Sequence, residues 1–304
     1  MDTRTQTRLL AAIDANDGRL TVPTADQLGL NRVTLKRAAD AGVIDRIGRG
    51  VYARPGDGSA SLIAAGAAVG SHAVLGYRGA ATFYGLDGVR PTPFEWCVPH
   101  GCRSSDPLVH GRRRFDEIDV TMIDGVAVTT VPQTLIDIAS FEHPDIIERA
   151  VESAIRLKLI TDEELRAFVA FKAISRQGGR RLRAVLQLRP VGSRPTGCDD
   201  ETICLQVYRR RGVPAPVRQY ELILDGIVVA IVDFAWPRWR FIVEIDGFDT
   251  HGDPIAHGND LHRQNWISDI RITFRRFNHA DVHYHRAYLC QETMRGLQEA
   301  GRPL

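Results

Sequence analysis

The stretch Tyr220–Asp246, YELILDGIVVAIVDFAWPRWRFIVEID, decides the fold of the carboxy-terminal part of the chain. Two β-rich runs, Tyr220–Leu224 and Ile227–Ala235, are separated by Asp225-Gly226, a dipeptide typical of a tight hairpin turn. A third run, Arg240–Asp246, is rich in β-branched and aromatic residues, which favour strands. The stretch therefore predicts three consecutive β-strands.

Three carboxylates lie on these strands. Because successive side chains of a strand point to opposite faces, Glu244 and Asp246 should share one face and leave Ile245 on the other. Asp233 lies near the end of the neighbouring run, where a hairpin-like return would bring it beside Glu244. Acids on an otherwise apolar strand are costly unless their charge is compensated. We expect Asp233, Glu244 and Asp246 to bind Mg²⁺ or Mn²⁺, which can activate water for attack on a phosphodiester.

The alternative is that these acids form surface ion pairs with arginines such as Arg240 or Arg263. A helix, Asp200–Arg211, precedes the strands; it opens with acidic residues and ends at Gly212, as helix termini favour. Upstream of it, the Pro-, Gly- and Ser-rich segment Arg189–Gly197 indicates a domain boundary.

The amino-terminal region shows the order helix, helix, turn, helix and hairpin, which is typical of a winged helix-turn-helix. Asn31 is a good cap for the third helix, and Gly42 is a good stop. The expected helices are Thr7–Ala15, Thr24–Leu28 and Arg32–Asp40, and the expected strands are Val43–Ile47 and Val51–Ala53.

Cationic residues gather on the helix that such a domain presents to DNA. We expect Arg32, Thr34, Lys36 and Arg37 to reach the major groove of double-stranded DNA, and Arg46 and Arg49 on the wing to lie near phosphates. The alternative is that the helix-turn-helix docks a partner protein.

The middle region predicts a mixed α+β domain, so the chain as a whole is expected to be α/β (α+β overall). The expected elements are a helix over Val74–Tyr84, a strand over Phe94–Pro99, a hairpin of Ile118–Asp124 and Val126–Thr130, and helices over Ala150–Leu157, Asp162–Ala170 and Arg180–Leu188. We expect three domains, 1–58, 59–190 and 191–304.

Composition limits the classes of protein to consider. The 304 residues, 44% hydrophobic and 25% charged, are typical of a globular protein, and the net charge of +2 requires any DNA contact to be local. We find no apolar run long enough for a membrane span and no signal segment, so we expect a cytoplasmic protein. Five cysteines, an odd number, favour free thiols.

The last domain contains several ordered blocks, among them Glu201-Thr-Ile-Cys-Leu, Val232-Asp-Phe-Ala-Trp-Pro, Val243-Glu-Ile-Asp-Gly and Asp260-Leu-His-Arg. Together these blocks resemble a Vsr-like domain family of unknown function, which is related to very-short-patch repair and restriction-type PD-(D/E)xK endonucleases.

The resemblance implies that Asp233 and Glu244 are metal ligands, that Glu201 supports the site, and that His251 and His262 contact water or phosphate. Asp246 replaces the Lys of the family's E-x-K pattern, and we interpret it as an added ligand.

The upstream part contains the blocks Arg46-Ile-Gly-Arg-Gly-Val-Tyr-Ala, Val128-Thr-Thr-Val-Pro-Gln-Thr-Leu-Ile-Asp and Arg180-Arg-Leu-Arg. These blocks resemble AbiEi-type antitoxins of type IV toxin-antitoxin systems. This resemblance implies a winged helix that represses its own promoter, a second domain used in antitoxicity, and a cognate toxin; a repressor would also form a homodimer.

Two functions are therefore open. The first is a DNA-binding protein with a Mg²⁺-dependent endonuclease domain. The second is a non-enzymatic antitoxin and transcriptional repressor whose nuclease fold is degenerate. His279, His283 and His285 lie at a strand-to-helix junction, where capped and partly exposed histidines are commoner than metal ligands, so we expect no catalytic role for them.

Overall fold

The structure is a computed structural model that describes residues 3–16, 18–48, 51–55, 62, 66, 69–70, 72–90, 95–99, 108–112, 116–172, 177–224, 226–246 and 272–301. The described residues form helices and three sheets, which confirms the predicted α+β class. The chain divides into two compact units, 1–154 with 159–186, and 155–158 with 187–304. The division into three domains stays a prediction.

The four cysteines that the structure describes, Cys97, Cys198, Cys204 and Cys290, are free thiols. None of the helices in the described ranges is both long enough and apolar enough to cross a membrane.

The amino-terminal region is a winged helix-turn-helix, as predicted. Its elements are α1 Thr3–Asp14, β1 Arg19–Thr21, α2 Val22–Gln27, α3 Arg32–Asp40, β2 Asp45–Gly48 and β3 Val51–Ala53. The strands form an antiparallel sheet in the order β1-β3-β2. Leu9 and Ile13 of α1 pack with Leu20 and with Leu35 of α3 in a core of their own. This core fixes which face of α3 turns to solvent.

The middle region combines a five-stranded sheet with helices. Its elements are β4 Val74–Leu75, α4 Tyr77–Phe83, β5 Trp96–Pro99, β6 Val109–Arg112, β7 Val120–Ile123, β8 Val126–Thr129, α5 Val131–Ala139, α6 Pro144–Arg156, α7 Asp162–Lys172 and α8 Gln177–Gln187. The strand order is β6-β5-β4-β8-β7.

Two details of the middle region differ from the sequence prediction. The expected helix Val74–Tyr84 is wrong at its start, because Val74 and Leu75 form a strand that pairs with β5 and β8. Strand β6 was not expected. The hairpin of β7 and β8 is confirmed, and its turn residues Asp124 and Gly125 both have positive φ, 48° and 78°.

The carboxy-terminal region is a four-stranded sheet with helices. Its elements are α9 Asp199–Arg211, β9 Val217–Leu224, β10 Ile227–Trp236, β11 Phe241–Asp246, β12 Thr273–Asn278, α10 His279–His283 and α11 Arg286–Glu299. The order is β12-β11-β10-β9; β9, β10 and β11 are antiparallel, and β12 is parallel to β11. The three strands predicted from Tyr220–Asp246 are therefore confirmed.

The two faces of β11 are sorted as the alternation predicts. Phe241, Val243 and Ile245 belong to a core that includes residues of α9 and α11, whereas Ile242 belongs to a separate cluster with Leu222 of β9. Helix α11 approaches β11 closely at Gly296, where an added Cβ would lie 2.4 Å from Cε2 of the buried Phe241 ring. The close approach requires a residue without a side chain.

We predict that Gly296→Ala destabilises the protein. Overpacking of a filled core costs about 1–3 kcal/mol, which outweighs the roughly 1 kcal/mol that alanine gains over glycine in a helix. Urea unfolding followed by tryptophan fluorescence checks this, because Trp236 lies in the same core. The control is Gln298→Ala on the exposed side of α11. An unfolding midpoint of Gly296→Ala at or above that of the wild type would contradict the prediction.

Candidate functional site

Helix α3 presents a cationic surface. Leu35 and Ala38 are buried, which leaves Arg32, Lys36 and Arg37 exposed. Thr34 is only half-buried, and its hydroxyl donates to the Asn31 carboxamide at 3.0 Å while the same oxygen accepts from the Thr34 backbone N–H at 2.9 Å. The threonine thus takes part in the helix cap. The three cations remain available to a partner.

The wing adds a further cation. Arg46 is exposed on β2 and pairs in register with Tyr52 of β3. Arg49 lies outside the described residues. Arg8 of α1 donates to the Leu28 carbonyl at 2.8 Å and so stabilises the turn that precedes α3.

Asp233 lies where β10 and β11 stop pairing. The paired residues run from Trp236 and Phe241 to Phe234 and Val243. One residue further on, Oδ2 of Asp233 accepts from the backbone N–H of Ile245 at 2.8 Å, and Oδ1 accepts from the Gln219 amide at 3.2 Å. The Asp233 carboxylate therefore accepts the Ile245 N–H in place of a backbone carbonyl, just beyond the last paired residues of β10 and β11.

Glu201 of α9 shares a hydrogen-bond donor, the Gln219 amide, with Asp233. It is 3% exposed, and its Oε2 accepts from the Gln219 amide and from the Gly197 N–H, both at 2.8 Å. Burial first, and then the negative charge of Asp233, raise the pKa of Glu201 to about 7. Gln219 thus donates hydrogen bonds to two acids, and the negative charge of Asp233 disfavours the ionisation of Glu201.

Glu244 and Asp246 have different surroundings. Glu244 is 4% exposed, and its register partner on β12 is Arg276. Arg276 Nε lies 2.5 Å from Oδ2 of Asp246. Asp246 therefore forms an ion pair with an arginine of the neighbouring strand, as the alternative reading of these acids expected, and that arginine is Arg276. Arg263 lies outside the described residues.

The structure brings the predicted metal ligands together only in part. Asp233 and Glu201 both accept from Gln219, and Asp233 and Glu244 are the residues next to the last paired positions, Phe234 and Val243. Within the described ranges, however, Asp233, Glu244 and Asp246 do not bring three ligand atoms within 4.8 Å of one another. His251 and His262 lie outside the described residues.

A group that sequence reasoning missed meets that distance criterion. Asp200, His279 and His283 have ligand atoms that all lie within 4.8 Å of one another. Oδ2 of Asp200 lies 2.7 Å from Nδ1 of His279, and Oδ1 lies 2.9 Å from Nε2 of His283. The spacing of the two histidines was visible in the sequence, but their carboxylate partner was not.

We predict that Glu201 makes stability fall as the pH rises. Because its folded pKa of about 7 lies above the ordinary value of 4.5, the folded state holds more protons than the unfolded state between these values. Glu201 therefore stabilises fully below pH 4.5, and this contribution, up to about 3 kcal/mol, is lost by about pH 7.

Urea unfolding across this pH range, in wild type and Glu201→Gln, checks the prediction. The glutamine oxygen can still accept from Gly197 and Gln219, so the variant should lack this pH-dependent loss. The exposed Glu163→Gln serves as control and should follow the wild type. Parallel profiles for wild type and Glu201→Gln would show that the acid does not titrate in this way.

Comparison with known proteins adds one similarity. A comparison with curated proteins finds no match. Residues 8–55, which contain α2, α3 and the wing, match a family described as "Transcriptional regulator, AbiEi antitoxin".

Proposed function

We propose that the winged helix binds double-stranded DNA and that the protein acts as a transcriptional regulator in a toxin-antitoxin system. The exposed cations of α3 carry this proposal, and the family similarity of residues 8–55 supports it. A winged helix of this kind inserts its third helix into the major groove and places its wing along the backbone.

The surface of α3 offers two kinds of contact. Arg32, Lys36 and Arg37 can neutralise phosphates or donate to guanine, whose O6 and N7 accept from arginine and lysine. Val33 is 55% exposed on the same side and can contact a thymine methyl group. Arg46 on the wing adds a phosphate contact. The mixture favours sequence-specific binding over purely electrostatic binding.

The family similarity extends the proposal to partners. We propose that the protein binds its own promoter as a homodimer and that a cognate toxin is its second partner. A two-fold symmetric operator would accommodate two copies of α3, one in each half-site.

We predict that Arg32→Ala and Lys36→Ala weaken binding to a duplex from upstream of the protein's own gene. Each change should cost about 1–3 kcal/mol if the side chain contacts a base, or lower the salt dependence by about one unit if it contacts a phosphate. Fluorescence anisotropy at several salt concentrations measures both effects. The control is Arg238→Ala, an exposed arginine of the carboxy-terminal unit. Unchanged affinity in both α3 variants would favour protein docking.

A second candidate function is metal-dependent cleavage of DNA. The observation in its favour is the pair of acids that both accept from Gln219. Burial, and then the charge of Asp233, raise the pKa of Glu201, and a cation between the two acids would relieve their repulsion. We propose Asp233 and Glu244 as ligands of Mg²⁺ or Mn²⁺, with Glu201 in support. Asp246 fits a ligand role less well, because Arg276 is bound to it.

Each residue has its own role in this proposal. Asp233 and Glu244 would hold the divalent ion from two neighbouring strands, and the ion pair of Arg276 with Asp246 would border the site. A bound divalent ion supplies the activation of water and the neutralisation of charge on phosphate. In the alternative, the same fold is a degenerate nuclease that only binds.

We predict nicking of supercoiled plasmid with Mg²⁺ or Mn²⁺ that EDTA abolishes. Asp233→Asn and Glu244→Gln keep the shape of the side chains and should each reduce the rate at least about 100-fold, since loss of one directly acting group commonly costs this much. The control is Glu221→Gln on β9, which alters a solvent-accessible ion pair between Glu221 and Arg194. If no nicking occurs with either metal, the non-enzymatic alternative is correct.

A further inference from the structure

Two histidines one helical turn apart, directly after the carboxyl end of β12, face a single carboxylate. Helix α10 begins with a capping box, in which the Asn278 side chain accepts from the Asp281 N–H and the Asp281 carboxylate accepts from the Asn278 N–H. The cap fixes the helix directly after β12. Because residues four apart lie on one side of a helix, His279 and His283 point the same way, and their rings stack with centroids 4.0 Å apart.

The carboxylate comes from another helix. Asp200 lies in the first turn of α9, and its two oxygens each meet one imidazole, at 2.7 Å from Nδ1 of His279 and 2.9 Å from Nε2 of His283. The three side chains thus turn nitrogen and oxygen atoms, not ring faces, toward a common point.

We propose that Asp200, His279 and His283 bind a divalent transition metal ion of the zinc class. Two imidazole nitrogens and one carboxylate oxygen form a ligand set that zinc sites use, and two histidines four residues apart on one helix are a recurrent way to hold it. This site shares no ligand with the Mg²⁺ site proposed at Asp233 and Glu244, and the hard-oxygen preference of Mg²⁺ separates the two chemically.

The distances permit coordination after a small movement. With ligand atoms about 2.0–2.2 Å from the metal, tetrahedral ligands lie roughly 3.4 Å apart. The present separations of 2.7 and 2.9 Å therefore have to widen by about 0.7 and 0.5 Å. Rotation of the side chains supplies such a change without a shift of either helix.

Burial defines an inside and an outside to the site. The Asp200 side chain is 12% exposed, whereas those of His279 and His283 are 31% and 26% exposed. The Asp200 carboxylate would bind the ion from the buried side. The partly exposed imidazoles would let the ion enter from solvent, and water would be its fourth ligand. Sites with three protein ligands and one open position have this form.

The bound ion would join the first helix of the carboxy-terminal region to a helix near its end. The two hydrogen-bonded pairs span 79 and 83 positions of the chain. A ligand that binds the folded but not the unfolded chain stabilises the folded state by a free energy that rises with the logarithm of its affinity and concentration. Metal binding should therefore raise the melting temperature of this region.

The experiment uses the full chain without a histidine tag, stripped of metal by EDTA and dialysis. Co²⁺ is titrated first, because its visible d–d absorption reports tetrahedral nitrogen and oxygen coordination, and Zn²⁺ is then titrated against the Co²⁺ form. We expect a d–d band that saturates and that Zn²⁺ removes. Mg²⁺ should neither produce nor remove the band.

Variants distinguish this site from other histidines. His283→Gln and Asp200→Asn should each lower Co²⁺ affinity at least about 10-fold, the smallest effect expected for a group in or next to a metal site. His285→Gln is the matched control: His285 is exposed, lies two residues from His283 and contacts Asp281 at 3.4 Å. Its affinity should equal that of the wild type.

Thermal unfolding completes the test and covers the case of a damaged fold. Zn²⁺ should raise the melting temperature of wild type and His285→Gln, but not of His283→Gln, whose circular dichroism without metal should match the wild type. A d–d band that is absent in the wild type, or that persists in both His283→Gln and Asp200→Asn, overturns the proposal and leaves the three residues as a hydrogen-bonded anchor between helices. Loss of plasmid cleavage bears only on the Mg²⁺ site.

Discussion

The carboxylate of Asp233 is held by donors from two different strands, and much of the carboxy-terminal region follows from this arrangement. Its oxygens accept from Ile245 N–H of β11 and from Gln219 of β9, and Gln219 in turn donates to Glu201 of α9. A charge can stay inside a protein only if hydrogen bonds replace the lost water. The same contacts that satisfy Asp233 therefore tie the first helix to the sheet and bring the acids together.

Local signals in the sequence predicted the elements well. Helix α3 begins and ends as expected because Asn31 caps it and Gly42, with φ of 67°, stops it. The β7–β8 hairpin follows from Asp124-Gly125, two residues that accept the positive φ of a tight turn. Along β11, strict alternation sorted Ile245 from Glu244 and Asp246. In each of these cases, residues close together in the sequence determine the local structure.

Contacts between distant residues could not be predicted in this way. Strand β4 is too short to show a period, and its pairing with β5 and β8 outweighs the helical appearance of Val74–Tyr84. Arg276 meets Asp246 because β12 pairs with β11 in one particular register, which no local pattern specifies. The partner of His279 and His283 was missed for the same reason, since Asp200 belongs to another helix.

The parallel pairing of β11 with β12 has a consequence for the order of folding. Only two residues separate β9 from β10 in the chain, so these strands can meet after closure of a very short loop. β12 can align with β11 only after the chain between Asp246 and Thr273 has closed, and the entropy of closure rises with loop length. Contacts of this range slow folding. The antiparallel strands β9, β10 and β11 should therefore form first during folding, and β12 should join the sheet last.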